Sequence, residues 1–461
     1  MKARMLSQVA AATGGSLIGE DRAFTRVSTD TRTLATGDLF VAIVGEKFDA
    51  HSFLSVAQER GAAGALVQRH IADVQLPQIV VSDTRRALGT YAKYWRAQFR
   101  IPVIGVTGSS GKTTLKEMLA QVLRTQGEIL ATRGNMNNDI GLPLTLLQMG
   151  DSHRAAVIEM GTNHPGEIAY LAGITAPTVG VITNAGPAHL EFLGSIEGVA
   201  REKGALFAAL GKEGVAVINA DDAHAATWYR ISTAGSQRTF GFSERADFHP
   251  LPGSLKAEAN GTWRFDVVSP FGVASVQLSL PGRHNVANAL AALAAATAAG
   301  VGFEAAVQAL ADVRPTAGRL VVNRGLRDCR LIDDTYNANP LSLAAAVEFA
   351  TSLGAPVWLV LGDMGELGAS AQALHAEAGA QVRRAGVARL FTFGNLSRAA
   401  SESFGVAAQH FEDFDMLLDA LRRDLPEGVT VLVKGSRSMH MERVVDALRA
   451  QQAADLAANG S

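Results

Sequence analysis

Cysteine is almost missing. Cys329 is the only one in 461 residues, so the chain can form neither an internal disulfide nor a cysteine-based metal cluster, and a reducing cytoplasm suits it. Charge of one sign is missing too: 42 Lys and Arg stand against 44 Asp and Glu, without a long basic run or basic residues interleaved with aromatics. Binding to the phosphate backbone of nucleic acid therefore has no electrostatic support. No apolar run is long enough to span a bilayer. The nearest, Asn288 to Gly302, is alanine-rich and too short, and the opening MKARMLSQVAAATGG lacks the apolar segment of a secretory signal. Nor does a coiled-coil or edge-strand signal demand more than a monomer. With 48% hydrophobic and 19% charged residues, the composition excludes a disordered chain and predicts globular domains.

What the sequence does have is a phosphate-binding loop. Ile104 to Thr114 reads IGVTGSSGKTT, follows the apolar run Ile101-Pro-Val-Ile and leads into Leu115-Lys-Glu-Met-Leu-Ala, so strand, glycine-rich loop and helix succeed one another. Backbone amides of Thr107, Gly108, Ser109, Ser110 and Gly111, with the positive end of the next helix, favour anionic oxygens. Lys112 adds a cation, and Thr113 and Thr114 add hydroxyls, Thr113 being placed for the Mg2+ that accompanies ATP or GTP. The loop departs from the GxxxxGK[ST] form at Val106, where the first glycine belongs, and so represents a variant of it.

The length predicts three domains, all α/β. Residues 1–98 alternate short strands, such as Asp38 to Ile43 and Gln78 to Val81, with helices such as Ser52 to Arg60. Residues 99–313 carry the loop and the buried-strand runs Ala155 to Met160 and Val179 to Asn184, which predict a mostly parallel sheet with helices on both faces. This unit ends in the alanine-rich helix after Pro281-Gly-Arg-His-Asn. Beyond a Pro/Gly break at Val313 to Gly318, residues 314–461 repeat the alternation with strands Cys329–Asp333, Val357–Leu361, Leu390–Phe393 and Val429–Val433, a Rossmann-like doubly wound pattern. Low complexity is confined to alanine enrichment and the tail after Ala453.

In such a sheet the carboxyl ends of neighbouring strands share one crevice. Glu159 closes one strand and His189 lies just beyond the next, so both are candidate ligands for a cation bridging phosphate oxygens, with Thr113 holding a first ion. Lys203, in AREKGALF, reads by pattern alone as a solvated lysine at the start of a helix. Asn288, Arg319 and Asp334 stand at domain seams, and the always-charged planar cation of Arg319 suits a γ-phosphate. On these residues alone, a nucleotide-driven switch that hydrolyses ATP stays open.

Four longer segments narrow this. GNMNNDIGLPL from Gly134, EMGTN from Glu159 followed by Gly166-Glu-Ile, DDTYNANP from Asp333 and LVKGSR from Leu432 resemble, in that order, the Mur ligase family of ATP-dependent amide-forming enzymes. The family's loop has the form TGSxGKTT, which accounts for Val106. Within the family the segments are most similar to members that join D-alanyl-D-alanine to UDP-N-acetylmuramoyl-tripeptide, a step of peptidoglycan synthesis. The DNPR-type selector of members that add the third residue is not found, and folylpolyglutamate synthesis is disfavoured because that enzyme lacks the first domain.

The resemblance implies Lys112 on the β- and γ-phosphates and Thr113, Glu159 and His189 as ligands of two Mg2+ ions. It implies carbamylation of Lys203 into a further oxygen ligand, against the solvated reading of that lysine. It puts Asn288 beside adenine, Arg319 on the γ-phosphate and Asp334 on the nucleotide. Ser28, Asp30 and Arg32, in STDTR, resemble the SxDSR-type segment that meets uridine diphosphate, with Thr31 in place of serine and Ala50 where the family's DGH has glycine. Asn135, Asn137 and Asn138 would face the muramoyl peptide, and Asn337, Lys434 and Ser436 the incoming dipeptide.

Overall fold

The computed structural model describes residues 3–45, 48–258 and 261–450; the tail after Ala453 lies outside the described residues. The chain opens on short strands because turns cut each apolar run: β1 (Arg4–Met5), β2 (Ser16–Ile18), β3 (Ala23–Phe24), β4 (Val27–Ser28), β5 (Leu39–Val41), β6 (Gly64–Val67) and β7 (Gln78–Val80). β1 pairs with β3, and the others form a sheet in the order β2-β7-β6-β5-β4, parallel except at β2. The helix Thr84–Arg96 follows. Asp83 caps it by accepting from the Arg85 and Arg86 amides at 2.8 and 3.0 Å, and Leu88, Tyr91, Ala92 and Trp95 form its buried stripe.

The central sheet holds β8 (Val103–Thr107), β9 (Ile129–Ala131), β10 (Ala155–Glu159), β11 (Val179–Ile182), β12 (Val215–Asn219) and β13 (Ser236–Phe240). It is parallel throughout, in the order β13-β12-β11-β8-β10-β9. β8, β10 and β11 are buried at every residue, as strands covered on both faces must be. The helix Lys112–Leu123 buries Leu115, Met118, Leu119, Val122 and Leu123 in one stripe. The alanine-rich helix Arg283–Ala298, buried on nearly every side, packs against it. After β8 the chain runs to β9 and β10 on one side, then crosses to β11 on the other. That reversal is where open α/β sheets bind ligands.

An antiparallel sheet, unforeseen in the sequence, follows β13: β14 (His249–Pro250), β15 (Lys256–Ala257), β16 (Trp263–Ser269) and β17 (Gly272–Leu278), with β16 pairing to the other three. The last sheet comprises β18 (Val321–Arg324), β19 (Arg330–Asp334), β20 (Val357–Gly362), β21 (Arg389–Phe393), β22 (Ala408–Phe411) and β23 (Thr430–Lys434). Its order is β18-β19-β23-β20-β21-β22, with β18 alone antiparallel.

One apolar cluster runs through the first unit and the central sheet, bringing Leu6, Phe24, Tyr91 and Trp95 together with Leu146, Met149, Leu171 and Ile174. The last sheet instead has clusters of its own on each face. Three local expectations need correction. Lys203 lies within the helix Ile196–Ala208, not at its start. A further helix, Phe303–Leu310, follows the alanine-rich one. The segment expected as a helix from Ser52 begins as the 3-10 turn Ala50–Phe53, because Asp49 caps that turn at the His51 amide. Among the described residues, no helix is long and apolar enough to cross a membrane.

Candidate functional site

The glycine-rich loop is shaped from below. Gly108 has φ +152°, and a Cβ there would stand 1.8 Å from Thr183 Oγ1, so only glycine fits. Gly111, φ +84°, starts the helix Lys112–Leu123 against Asn288. No side chain caps that helix, which leaves its first amides available to an anion. The loop is held by the end of β11: the Ser110 amide donates to Asn184 Oδ1 at 3.0 Å, and Thr183 Oγ1 donates to the Ser110 carbonyl at 2.6 Å. Ser109 Oγ lies 3.1 Å from the Gly186 carbonyl. Lys112 Nζ donates to the Gly108 carbonyl at 2.7 Å, and burial lowers its pKa against the opposing pull of Glu159.

Beside the loop, polar groups converge on a buried carboxylate. Thr113 Oγ1 lies 3.0 Å from Glu159 Oε2, and Asn137 Nδ2 donates to Glu159 Oε1 at 2.9 Å. From beyond the Pro/Gly break Arg319 donates an Nη2 hydrogen to Thr113 Oγ1 at 2.9 Å, stacks over the Tyr336 ring, and leaves its buried Nε without a partner. An unpaired guanidinium N–H beside uncapped helix amides fits a phosphate chain.

The last unit faces the loop directly. Asn339 Nδ2 donates to Ser110 Oγ at 3.1 Å while its Oδ1 caps the helix Pro340–Ser352. His189 Nδ1 lies 2.7 Å from Glu366 Oε2, an ion-pair distance although Nδ1 makes no aligned hydrogen bond. Both residues have positive φ, 56° and 62°, a conformation that costs energy outside glycine. Asp334 pairs with Lys434, whose Nζ also donates to the Asn337 carbonyl at 2.9 Å, and Ser436 Oγ accepts from the Gly365 amide at 2.6 Å. His284 sits near this pair, its pKa lowered to about 4 by burial, with Asp334 opposing and Lys434 assisting.

These groups enclose one cavity of about 1020 Å³. Its wall includes Ser109 to Thr114, Glu159, His189, Asn288, Arg319 and Asp334, together with Asn135, Asn137, Asn138, Asn337, Lys434 and Ser436. Thr107 and Gly108 support the loop from outside that wall, Thr107 Oγ1 donating to the Met160 carbonyl at 2.9 Å. Lys203 is also outside the wall, and burial, with Lys112 repelling it, sets its pKa well below the usual lysine value. Ser28, Asp30 and Arg32 lie outside the cavity wall in a turn where Arg32 clamps Asp30 with two nitrogens and lowers its pKa to about 2.

Sequence reading missed Thr183, Asn184, Asn339, Glu366 and His284. Strand ends offered a signal for Thr183 and Asn184, and an asparagine before a proline offered one for Asn339; Glu366 follows β20 in a glycine-rich turn, and His284 had no signal beyond its place in PGRHN. For a divalent cation, Thr113 and Glu159 form a ready pair, and Mg2+ ordinarily completes its shell with phosphate oxygens and water. His189 lies on the same wall, beside Glu366. Among the described residues no three His, Cys, Asp or Glu side chains converge on a point.

The profile of the Mur ligase middle domain matches residues 106–296, and that of the Mur ligase, glutamate ligase domain matches 318–437. The UDP-N-acetylmuramoyl-tripeptide--D-alanyl-D-alanine ligase of Escherichia coli (strain K12) is 42% identical over 449 residues, 96% of this chain and 98% of that one. A crystal structure of MurF from Acinetobacter baumannii superposes with a TM-score of 0.91 at 34% identity, covering 97% of this chain and 98% of the other. The MurF ligase of Thermotoga maritima, solved in complex with ADP, gives 0.82 at 27% identity over 92% and 96%. With both profiles matched and relatives aligned over nearly its whole length, this chain belongs to the Mur ligase family.

Proposed function

We propose that the chain joins D-alanyl-D-alanine to UDP-N-acetylmuramoyl-tripeptide at the expense of ATP, as a cytoplasmic monomer, yielding the pentapeptide precursor of peptidoglycan. The observation that carries this reading is the net of Thr113, Glu159, Asn137 and Arg319 beside an uncapped phosphate loop, in a chain so similar to ligases of that name. The ADP bound by the Thermotoga maritima relative supports ATP as the energy source. The five-stranded sheet and the two six-stranded sheets support domains of 1–98 for the UDP-substrate, 99–313 for ATP and 314–461 for closure over the site.

In the first step a carboxylate oxygen of the tripeptide attacks the γ-phosphorus, the bond to the bridging oxygen breaks, and ADP leaves an acyl phosphate. Two anions must meet there. Lys112, the amide of Gly111 with those of the uncapped helix start, and Arg319 supply the positive counterpart, which is where most catalysis of phosphoryl transfer originates. Asn137 orients Glu159 and marks where the reacting carboxylate arrives. The neutral amine of the dipeptide then adds to the acyl carbon. Collapse expels phosphate, and a proton leaves the nitrogen.

Asn337, Lys434 and Ser436 line the approach for the dipeptide, and Asn135 and Asn138 the approach for the muramoyl peptide. Ser28, Asp30 and Arg32 hold the uridine diphosphate, Asn288 borders adenine, and Asp334, paired with Lys434, contacts the nucleotide. Mg2+ bound at Thr113 and Glu159, with His189 and carbamylated Lys203 toward a second ion, would neutralise phosphate charge as a Lewis acid. The lowered pKa of Lys203 supports the carbamate, because the neutral amine is the form that adds to carbon dioxide.

The test is phosphate release from ATP and Mg2+ with UDP-N-acetylmuramoyl-tripeptide, adding D-alanyl-D-alanine or single amino acids and weighing the product. Release that requires the dipeptide, with a pentapeptide mass, is expected. Release without any acceptor would establish the nucleotide-driven switch instead, and turnover of the dipeptide precursor with one amino acid would establish the ligase of the preceding step.

A further inference from the structure

One charged pair on the cavity wall has no part in the chemistry above. Arg85, in the first turn of Thr84–Arg96, donates from Nη2 to Asp139 Oδ1 at 2.7 Å and contacts Oδ2 through Nε. Both line the cavity, and both stay partly open, at 49% and 29% side-chain exposure. A cation in the first turn faces the positive end of its own helix, which disfavours it there. Joining the two domains does not explain the pair either. Trp95 Nε1 donates to the Met149 carbonyl at 3.0 Å, and Arg96 Nε to that of Thr175 at 3.0 Å, both in buried surroundings. An exposed ion pair adds little to such an interface.

The position of the pair is telling. Asn137 touches Glu159, where the ligase reading brings the reacting carboxylate, and Asp139 is two residues further on, a reach of at most about 7 Å. In the tripeptide substrate that carboxylate belongs to the third residue. Four carbon–carbon bonds separate its α-carbon from the far carbon of its side chain, about 5–6 Å when extended. A third side chain that runs along the segment from Asn137 to Asp139 therefore brings its far end within reach of Arg85 and Asp139, on the same cavity wall.

We propose that Arg85 and Asp139 select a third residue whose side chain ends in both an ammonium and a carboxylate, as diaminopimelate does, over lysine, which ends in an ammonium alone. The proposal rests on the ligase reading. On binding, the internal pair opens into two: the substrate carboxylate takes the guanidinium fork in bidentate fashion and the ammonium takes Asp139. Lysine satisfies Asp139 only and strips Arg85 of its partner without replacing it. Sites built to pair a polar group discriminate strongly against an analogue lacking it.

The experiment measures kcat/KM with ATP, Mg2+ and D-alanyl-D-alanine for the diaminopimelate and lysine forms of the UDP-linked tripeptide, in the full-length protein and in Arg85→Gln, Arg85→Lys and Asp139→Asn. The unsubstituted protein should favour the diaminopimelate form at least tenfold. Arg85→Gln should lower kcat/KM for that form about tenfold or more, mostly through KM, and for the lysine form less than threefold. Arg85→Lys should recover part of the loss. KM for ATP and the melting temperature should hold, which separates a lost contact from a lost fold. Equal losses on the two substrates, or no initial preference, would overturn the assignment while leaving the ligase reading intact. No turnover of either tripeptide by the unsubstituted protein would overturn both.

Discussion

The central sheet meets its two neighbours in opposite ways. Toward the N-terminal unit the contact is apolar and sealed: the Arg4 guanidinium is buried against the rings of Phe24, Tyr91 and Trp95 and donates to the carbonyls of Leu147, at 3.2 Å, and Thr25. Leu147, Met149, Thr175 and Ala176 lie at or just past the ends of the helices Gly141–Leu146 and Glu167–Thr175, and their carbonyls accept from Arg4, Trp95 and Arg96. Free carbonyls at a helix end attract donors and cations. Toward the C-terminal unit the contacts at the cavity are polar: Arg319 to Thr113, Asn339 to Ser110 and His189 to Glu366. Water can replace such contacts, whereas a shared apolar core cannot be parted without exposing it. The chemistry thus sits at the interface that can open and re-form.

Substitutions on the two sides should fail differently. Glu159→Gln keeps the hydrogen bonds but removes the charge, and should lower kcat about 10²–10³-fold in steady-state assays while the unfolding midpoint holds. Arg4→Ala should do the reverse. It leaves two carbonyls unpaired beneath three rings and should destabilise the fold by about 2–4 kcal/mol in denaturant titration, with kcat preserved at low temperature. Asn339→Asp keeps the oxygen that caps its helix but loses the amide that reaches Ser110; kcat should fall about tenfold with little change in stability.

The effect with the least bearing on turnover concerns pH. Burial holds the His284 pKa near 4 against an ordinary 6.5, so between those values the unfolded chain binds a proton that the folded chain does not. Stability should rise with pH across that window and lose this contribution below it. His284→Gln should flatten the curve by up to about 3 kcal/mol, measured as unfolding free energy at pH 4 and 7.

How much of this could be read from sequence varies by region. The loop, β8, β10, β11 and the last sheet were legible because their runs are apolar on both faces and end in turn residues. β14 to β17 were not, since their alternation is weak and the strands at one edge are only two residues long. Within the site, Lys112, Thr113, Glu159 and Arg319 were found from a local motif or a suitable charge at a seam, and the fold brings them together. Thr183, Asn184 and Glu366 act through contacts 70 or more positions away in sequence or across domains, which no local pattern encodes. His189 was read as a cation ligand from its place after β11, and the fold sets it on the cavity wall, 2.7 Å from Glu366.

Spin-label distances between the N-terminal and central units, and between the central and C-terminal units, would test the contrast most directly, with and without a non-hydrolysable ATP analogue, Mg2+ and tripeptide. The first distance should stay single and unchanged, while the second should be broad in the free protein and narrow when ligands bind. A moving first distance beside a fixed second would contradict the account.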